Sequence, residues 1–353
     1  MQRAMDQTTT ASTTTSATSL GGTRGLLAEL EFLHARGEDA LLGIVVATEG
    51  STYQKPGALV LLDRGGLRHG VISGGCLEPE LERRAQATFA DGRAALVEFD
   101  TRTDEDLVFG SGTGCRGRVH LLLLPQPPGA PLTQALREAA REGAVLHLVL
   151  TLNGDQSGAG SAQQAPNSAT AHDQWLWNAR GSASGAPVGA ADLMLRIAPP
   201  PRIVLLGAGP ETLLLLEFMR RFGWFVDVVE HRQRWITFVR GAAVDNFREL
   251  PPAAAAAQLQ QQGFDAAIVM SHNFTIDAQH LRFCARSAIP YVGLLGPPAR
   301  RDALLAELGG DAGALHARLH APVGLDLGGS GPEAIALAII AELQQFFAAR
   351  SDA

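Results

Sequence analysis

Residues 202–232, "RIVLLGAGPETLLLLEFMRRFGWFVDVVEHR", decide the fold. An apolar, β-branched run ends in Gly207-Ala208-Gly209. Apolar residues at helical spacing follow, and Gly223 closes that stretch. A second apolar run then ends in Glu230. Strand, glycine turn, helix and strand in this order form the opening unit of a dinucleotide-type fold. The glycines let backbone approach a phosphate, the helix start offers free N–H groups, and an acid about 20 residues on stands where a ribose is bound. Thr212 replaces the third glycine of that fingerprint, and Pro210 removes one N–H from the cradle. The pattern therefore specifies the fold more firmly than a bound NAD(P), and the same fold also serves other ligands.

Downstream, "FDAAIVMS" (264–271) and "PYVGLLG" (290–296) read as further strands, with a helix near 275–287 and a last helix from Pro332 to about Ala348. Strands alternating with helices imply a doubly wound parallel sheet, a Rossmann-like domain over 202–348. Upstream, "APPP" (198–201) is a stiff hinge. Residues 127–201 read as a connecting segment, with a helix and a strand over 131–150 and a low-complexity insert at 153–190. Within that insert "WLWN" (175–178) has the look of a short strand. Before it, a helix near 24–37, strands at 40–48, 58–63, 69–73, 95–100 and 118–125, and a helix Glu78–Ala90 make a small α/β domain over 24–126. Residues 1–23, rich in Thr, Ser and Ala, read as a disordered tail.

Composition narrows the function. With 46% hydrophobic and 18% charged residues the chain supports sizeable cores. A net charge of −7 speaks against a nucleic-acid surface. No apolar run reads as a membrane span, and the first residues lack the apolar core of a secretory signal. Three cysteines, none in a CxxC pair, point to a reducing cytoplasm and not to a disulfide framework.

The candidate chemistry lies in the first domain. Cys76 follows Gly74 and Gly75 and precedes a helix. Glycine pairs turn successive N–H groups toward an anion, and a thiol there is a candidate nucleophile or soft metal ligand. The plainer alternative is a small hydrophobe at a tight turn. Cys115 stands in "FGSGTGCRGRV" (109–119), beside Gly114 and two arginines, where a mobile glycine loop is the plainer alternative. Two glycine-framed cysteines in one domain suggest a shared ligand, and their spacing fits no zinc ribbon. Ser51, Thr52 and Lys55 flank a turn between two strands that suits a phosphate or pterin-like group, with a solvated turn as the plainer alternative. His272, after the third strand of the second domain, is placed to reach the crevice at the strand carboxyl ends, and a satisfied loop histidine is the plainer alternative. Cys284, inside a helical stretch, reads as core. No HExxH, HxE…PCxxC or GxSxG motif occurs.

Taken in order, "GSTYQKPGALVLLDRGGLRHGVISGGCLE", "FGSGTGCRGRV", the 202–232 stretch, "AAIVMSHN", "YVGLLGPPARRDALLAELG" and "LHAPVGLDLGGSGPEAIALAIIAELQ" resemble the XdhC/CoxI family of molybdenum-enzyme maturation factors. The resemblance covers most of 24–126 and 202–345. It implies a chaperone that holds the molybdenum cofactor, supports its sulfuration with a cysteine desulfurase, and inserts it into apo xanthine dehydrogenase or a related molybdenum hydroxylase. A homodimer, with no membrane or nucleic-acid partner, belongs to the same expectation. The family's glycine-framed cysteines correspond to Cys76 and Cys115, its Rossmann glycines to Gly207 and Gly209, its next acid to Glu230 with His231 and Arg232, and its later histidine to His272. Pro210-Glu211 stands where many relatives carry His-Asp, Tyr53-Gln54 where many carry Pro-Arg, and Asn273 where aspartate is common. A cleft between the domains would shield such a cargo. The competing expectation is an NAD(P)-dependent oxidoreductase with a reactive cysteine.

Overall fold

The computed structural model describes residues 20–102, 116–151, 176–178 and 192–351. Residues 1–19 of the tail, Gly114, Cys115 and most of the 153–190 insert lie outside the described residues, while Gly22 and Thr23, expected as part of the tail, already belong to the first helix.

The chain begins with helix α1 (Gly22–Ala35), then strands β1 (Leu41–Gly50), β2 (Leu59–Asp63) and β3 (Gly66–His69), helix α2 (Glu78–Asp91), and strands β4 (Ala95–Asp100) and β5 (Gly117–Pro125). The five strands form one antiparallel sheet in the order β3-β2-β1-β5-β4. β1 is central and covered on both faces. Leu42, Ile44 and Val46 face the core shared with α1, while Leu41 and Val45 face the core under α2. That double burial explains its unbroken apolar run: successive side chains of a strand point to opposite faces, and here both are dry.

The 69–73 stretch, expected as a strand, pairs only as far as His69. Gly70 takes φ +80° and turns the chain away. The N–H groups of Ile72 and Ser73 then go to the Glu78 carboxylate and not to a neighbouring strand.

Residues 127–201 do more than connect. Helix α3 (Pro131–Glu142) and strands β6 (Leu146–Thr151), β7 (Leu176–Asn178) and β8 (Asp192–Ile197) follow, and the strands form a small antiparallel sheet in the order β7-β6-β8. Leu132, Leu136, Leu146, Leu148, Leu195 and Ile197 share a core with α1 and β1. The short strand expected at "WLWN" is β7.

The second domain alternates β9 (Arg202–Leu206), α4 (Thr212–Arg221), β10 (Phe225–Glu230), α5 (Gln233–Val239), β11 (Asn246–Glu249), α6 (Pro252–Leu259), β12 (Ala266–Val269), α7 (Phe274–Arg286), β13 (Tyr291–Leu294), α8 (Pro298–Leu308), a 3₁₀ turn (Gly309–Leu315), β14 (Leu319–His320) and α9 (Pro332–Ser351). All six strands are parallel, in the order β11-β10-β9-β12-β13-β14. Counted from β9 this is 3-2-1-4-5-6, with the reversal of strand order between β9 and β12, where such sheets open a crevice. Ile203 and Leu205 face α4 and α9, and Val204 and Leu206 face α6 and α7. α9 is long and apolar enough to span a membrane by length and composition alone. Its Ala336, Ile339, Ile340, Leu343 and Phe347 lie in the sheet's core.

The domains meet at the amino ends of β9 and β10. Arg24 of α1 donates to Trp224 O (2.6 Å), pairs with Asp245, and lies 3.7 Å over the Phe225 ring. Arg202 donates to Arg141 O at the end of α3 (2.5 Å). This seam is at the opposite end of the sheet from Gly207 and Glu230.

Candidate functional site

Three sequence motifs converge on one crevice of the first domain. Ser51, Thr52 and Tyr53 after β1, Ile72, Ser73, Cys76 and Leu77 before α2, and Thr101, Gly117 and Val119 line it. Gly117 makes the junction possible: a Cβ there would lie 2.5 Å from Ser51 O and 2.6 Å from Thr52 Cγ2. Thr101 and Gly117 clamp each other, Thr101 N donating to Gly117 O (2.9 Å) and Gly117 N to Thr101 Oγ1 (3.1 Å). Thr101 and Gly117 both line the Cys76 crevice.

The Cys76 turn is held by one serine and one glutamate. Ser73 is buried, and its Oγ donates to Glu78 Oε2 while accepting from Gly75 N (3.1 Å) and Leu77 N (3.0 Å). Glu78 Oε1 accepts from Ile72 N and Ser73 N (3.1 and 2.9 Å). Burial pushes the Glu78 carboxyl up, but the Ser73 hydroxyl and these N–H groups outweigh it and hold the group below its ordinary value. With this scaffold beneath, Gly74, Gly75 and Cys76 are all exposed. Gly75 adopts φ +108°, and a Cβ on Gly74 or Gly75 would meet nothing within 4 Å. The glycine face beside the thiol is open.

The second glycine loop is built the other way. A Cβ on Gly207 would lie 2.5 Å from Ser271 Cα, and one on Gly209 would lie 2.5 Å from His272 Nε2. Its amides are all engaged: Gly207 N donates to Val229 O (2.9 Å), Ala208 N to Glu230 Oε2 (2.9 Å) and Gly209 N to Thr212 Oγ1 (2.8 Å). Pro210 has none. Glu230, 1% exposed, is caged by its neighbours, accepting from His231 N, Arg232 N and Arg232 Nε at 2.8–2.9 Å. Arg232 also donates to Ser271 O (2.6 Å) and Ala208 O (3.0 Å). Burial pushes the Glu230 carboxyl up, and the Arg232 guanidinium and adjacent N–H groups bring it below its ordinary value. His280 of α7 is buried nearby, and burial pushes its imidazole down to about 4. A dinucleotide needs free loop amides for its diphosphate and a free acid for its ribose. The residues present here do not fit one.

His272 is the one non-glycine residue with positive φ (+57°) among the described residues. Its Nε2 lies 3.1 Å from Oε1 of Glu211, whose side chain is 2% exposed against 46% for the imidazole. Ser271 is fixed by Asp277, which accepts from Ser271 N (3.1 Å) and Ser271 Oγ, and Asp277 is paired with Arg300 (2.7 Å). Cys284 is fully buried, and burial pushes its thiol up to about 12.

The structure thus brings Ser51 together with Cys76, with Gly74 and Gly75 exposed on the same turn as the thiol, and separately brings Gly207, Gly209, Glu230 and His272 together at the strand reversal. Sequence reasoning passed over the Ser73–Glu78 pair, whose spacing of five differs from the three of a capping box. It also passed over Asp277 and Arg300, which carry no motif. Among the described residues no cluster of three or more His, Cys, Asp or Glu side chains has the makings of a metal site.

Comparison with known proteins agrees with this layout. Residues 203–343 match the family model described as XdhC Rossmann domain, and residues 33–100 match that of the XdhC and CoxI family. The chain is 29% identical over 330 residues to a probable xanthine dehydrogenase subunit of Bacillus subtilis (strain 168), covering 87% of this chain and 93% of that protein. A crystal structure of a xanthine dehydrogenase from Bacillus halodurans superposes with a TM-score of 0.73 at 26% identity, covering 92% of this chain and 96% of the other. With the two family models falling one on each domain, and full-length relatives on either count, the chain belongs to the XdhC/CoxI family.

Proposed function

We propose that this chain is an accessory protein of a xanthine dehydrogenase system, and that it holds the molybdenum cofactor as cargo at the Cys76 crevice. The accessory role is supported by the family and by relatives whose names refer to xanthine dehydrogenase. The observation that carries the site is the convergence of the 51–53, 72–77 and 117 motifs on one small crevice of about 20 Å³, beside which Gly74, Gly75 and the Cys76 thiol are exposed to a ligand on the surface.

The chemistry suits the cargo. A cysteine sulfur is a soft donor for molybdenum or for sulfur in transit. Gly74 and Gly75 let a bulky group approach the backbone. Ser51 and Thr52 offer hydroxyls across the crevice. Ser73 and Glu78 keep the turn in shape while the thiol is engaged. In this reading the protein protects the cofactor, supports its sulfuration with a cysteine desulfurase as sulfur source, and delivers it to the apo hydroxylase in the cytoplasm, acting as a homodimer. The engaged amides of 207–209 favour this reading over the NAD(P)-dependent oxidoreductase.

The test is activation of an apo xanthine dehydrogenase by purified protein with free cofactor and a desulfurase. The Cys76→Ser variant is expected to lose most of the activation while keeping its fold. Full activation by that variant overturns the assignment of Cys76.

A further inference from the structure

At the strand reversal, where sheets of this order open a crevice, parts drawn from four segments converge on one turn. Arg232 holds Ser271 O, Asp277 holds Ser271 N and Oγ, and Arg300 holds Asp277. Asn273 Oδ1 caps α7 by accepting from Ile276 N (3.1 Å). Gly207 and Gly209 leave space that Ser271 and His272 fill. Between these two anchored neighbours, Ser271 and Asn273, His272 takes the left-handed backbone conformation that a side chain other than glycine adopts at a cost. Backbone strain of this kind persists where surroundings over-determine it, and it gathers at functional sites.

The pairing sets the tautomer. The Glu211 carboxylate is an acceptor only, so Nε2 carries the proton and donates it. The lone pair is then on Nδ1, which makes no hydrogen bond to a described residue. A buried carboxylate behind one nitrogen and a bare second nitrogen is the arrangement that orients a histidine for proton transfer. Leu213, two residues beyond Glu211, and Phe274, two beyond His272, are 39% exposed each and give the pair apolar neighbours along the chain.

We propose that His272 is the reactive group of this crevice and Glu211 its positioning residue. His272 Nδ1 takes the proton of a weakly acidic N–H, O–H or S–H group on a small ligand. The X–H bond breaks, the Nδ1–H bond forms, the electron pair stays on X, and the imidazolium charge is balanced by Glu211, with no oxidant or reductant involved. The charged groups around the turn are Glu211, Glu230, Arg232, Asp277 and Arg300. This rests on the geometry of the second domain and is independent of the cargo reading for Cys76.

Two measurements on the full chain test it. Long-range ¹H–¹⁵N NMR of the imidazoles is expected to show neutral His272 as a single tautomer, protonated at Nε2, and as a mixture in Glu211→Leu. Diethyl pyrocarbonate, which captures a bare imidazole nitrogen, is expected to modify His272 before the other nine of the ten histidines. The Glu211→Gln variant, which keeps shape and removes charge, is expected to slow that reaction about tenfold, in line with loss of one charged partner. A His272 protonated at Nδ1, or one that the reagent leaves unmodified while exposed histidines react, overturns the proposal whatever becomes of Cys76.

Discussion

At the scale of single residues, two glycine pairs that look alike in sequence do opposite things. Gly74-Gly75 and Gly207-Ala208-Gly209 each precede a helix and each read as a cradle for an anion. In the fold, a methyl group on Gly74 enters open space, and one on Gly209 strikes His272 and Glu211. Sequence shows that glycine is present; what the missing Cβ leaves room for is a tertiary fact. Gly207→Ala, at φ +98° and with its Cβ 2.5 Å from Ser271 Cα, is therefore expected to cost about 1–3 kcal/mol, the range of an overpacked core. Gly74→Ala is expected to stay within about 0.5 kcal/mol, as a surface change does. Denaturant unfolding of the two variants checks this, and equal losses would contradict it. Glu230 teaches the same lesson. Its place at the end of β10 was readable from spacing, but its engagement by Ala208 N and Arg232 was not, because the partners come from a loop twenty residues away and from its own flank.

At the scale of elements, legibility followed length and burial. β1 and β9 were plain because both of their faces are covered over the buried runs 41–46 and 203–206, which are free of polar side chains. β11, with its exposed and half-buried residues, and the two-residue β14 carried no such signal. The 69–73 stretch misled because Val71 and Ile72 are β-branched, yet Gly70 and the Glu78 carboxylate redirect the backbone. The turn before α2 depends on that carboxylate. Glu78 is held below its ordinary value, so its contribution is present above the unfolded carboxyl value and is lost as pH falls through the folded one. Glu78→Gln is expected to cost about 1.5–3 kcal/mol at neutral pH, the range for hydrogen bonds to a charged group. The gap to the unsubstituted protein is expected to close in acid. A gap that stays constant from pH 7 down through the carboxyl range would show that the charge of Glu78 plays no part.

At the scale of the whole molecule, the alternation of strands and helices after residue 202 was enough to give a doubly wound sheet. The extent of the first core was less legible, because β8 rejoins α3 and β6 there only from beyond an insert of low complexity. The seam between domains, made by Arg24 and Arg202 at the amino ends of β9 and β10, leaves the strand-reversal crevice at the other end of the sheet. Global acid stability has a specific source in that domain. His280 is pushed down to about 4 by burial, against about 6.5 unfolded. Between these values the unfolded chain binds the extra proton, so stability is full above about 6.5 and declines toward pH 4. The decline is on the order of 3 kcal/mol, and His280→Asn is expected to flatten it in urea unfolding from pH 7 to 4.5; an unchanged slope would remove His280 as the source.

The central claim is that the open crevice at Cys76 holds the cofactor and that the closed loop at Gly207 does not hold a dinucleotide. It is tested most directly by incubating anaerobically purified protein with free molybdenum cofactor, desalting it, and assaying molybdenum and oxidised pterin together. Retention near one cofactor per chain is expected, falling sharply in Cys76→Ser and unaffected by excess NAD(P). Retention that is indifferent to Cys76, or absent while a nicotinamide nucleotide binds, would contradict the account.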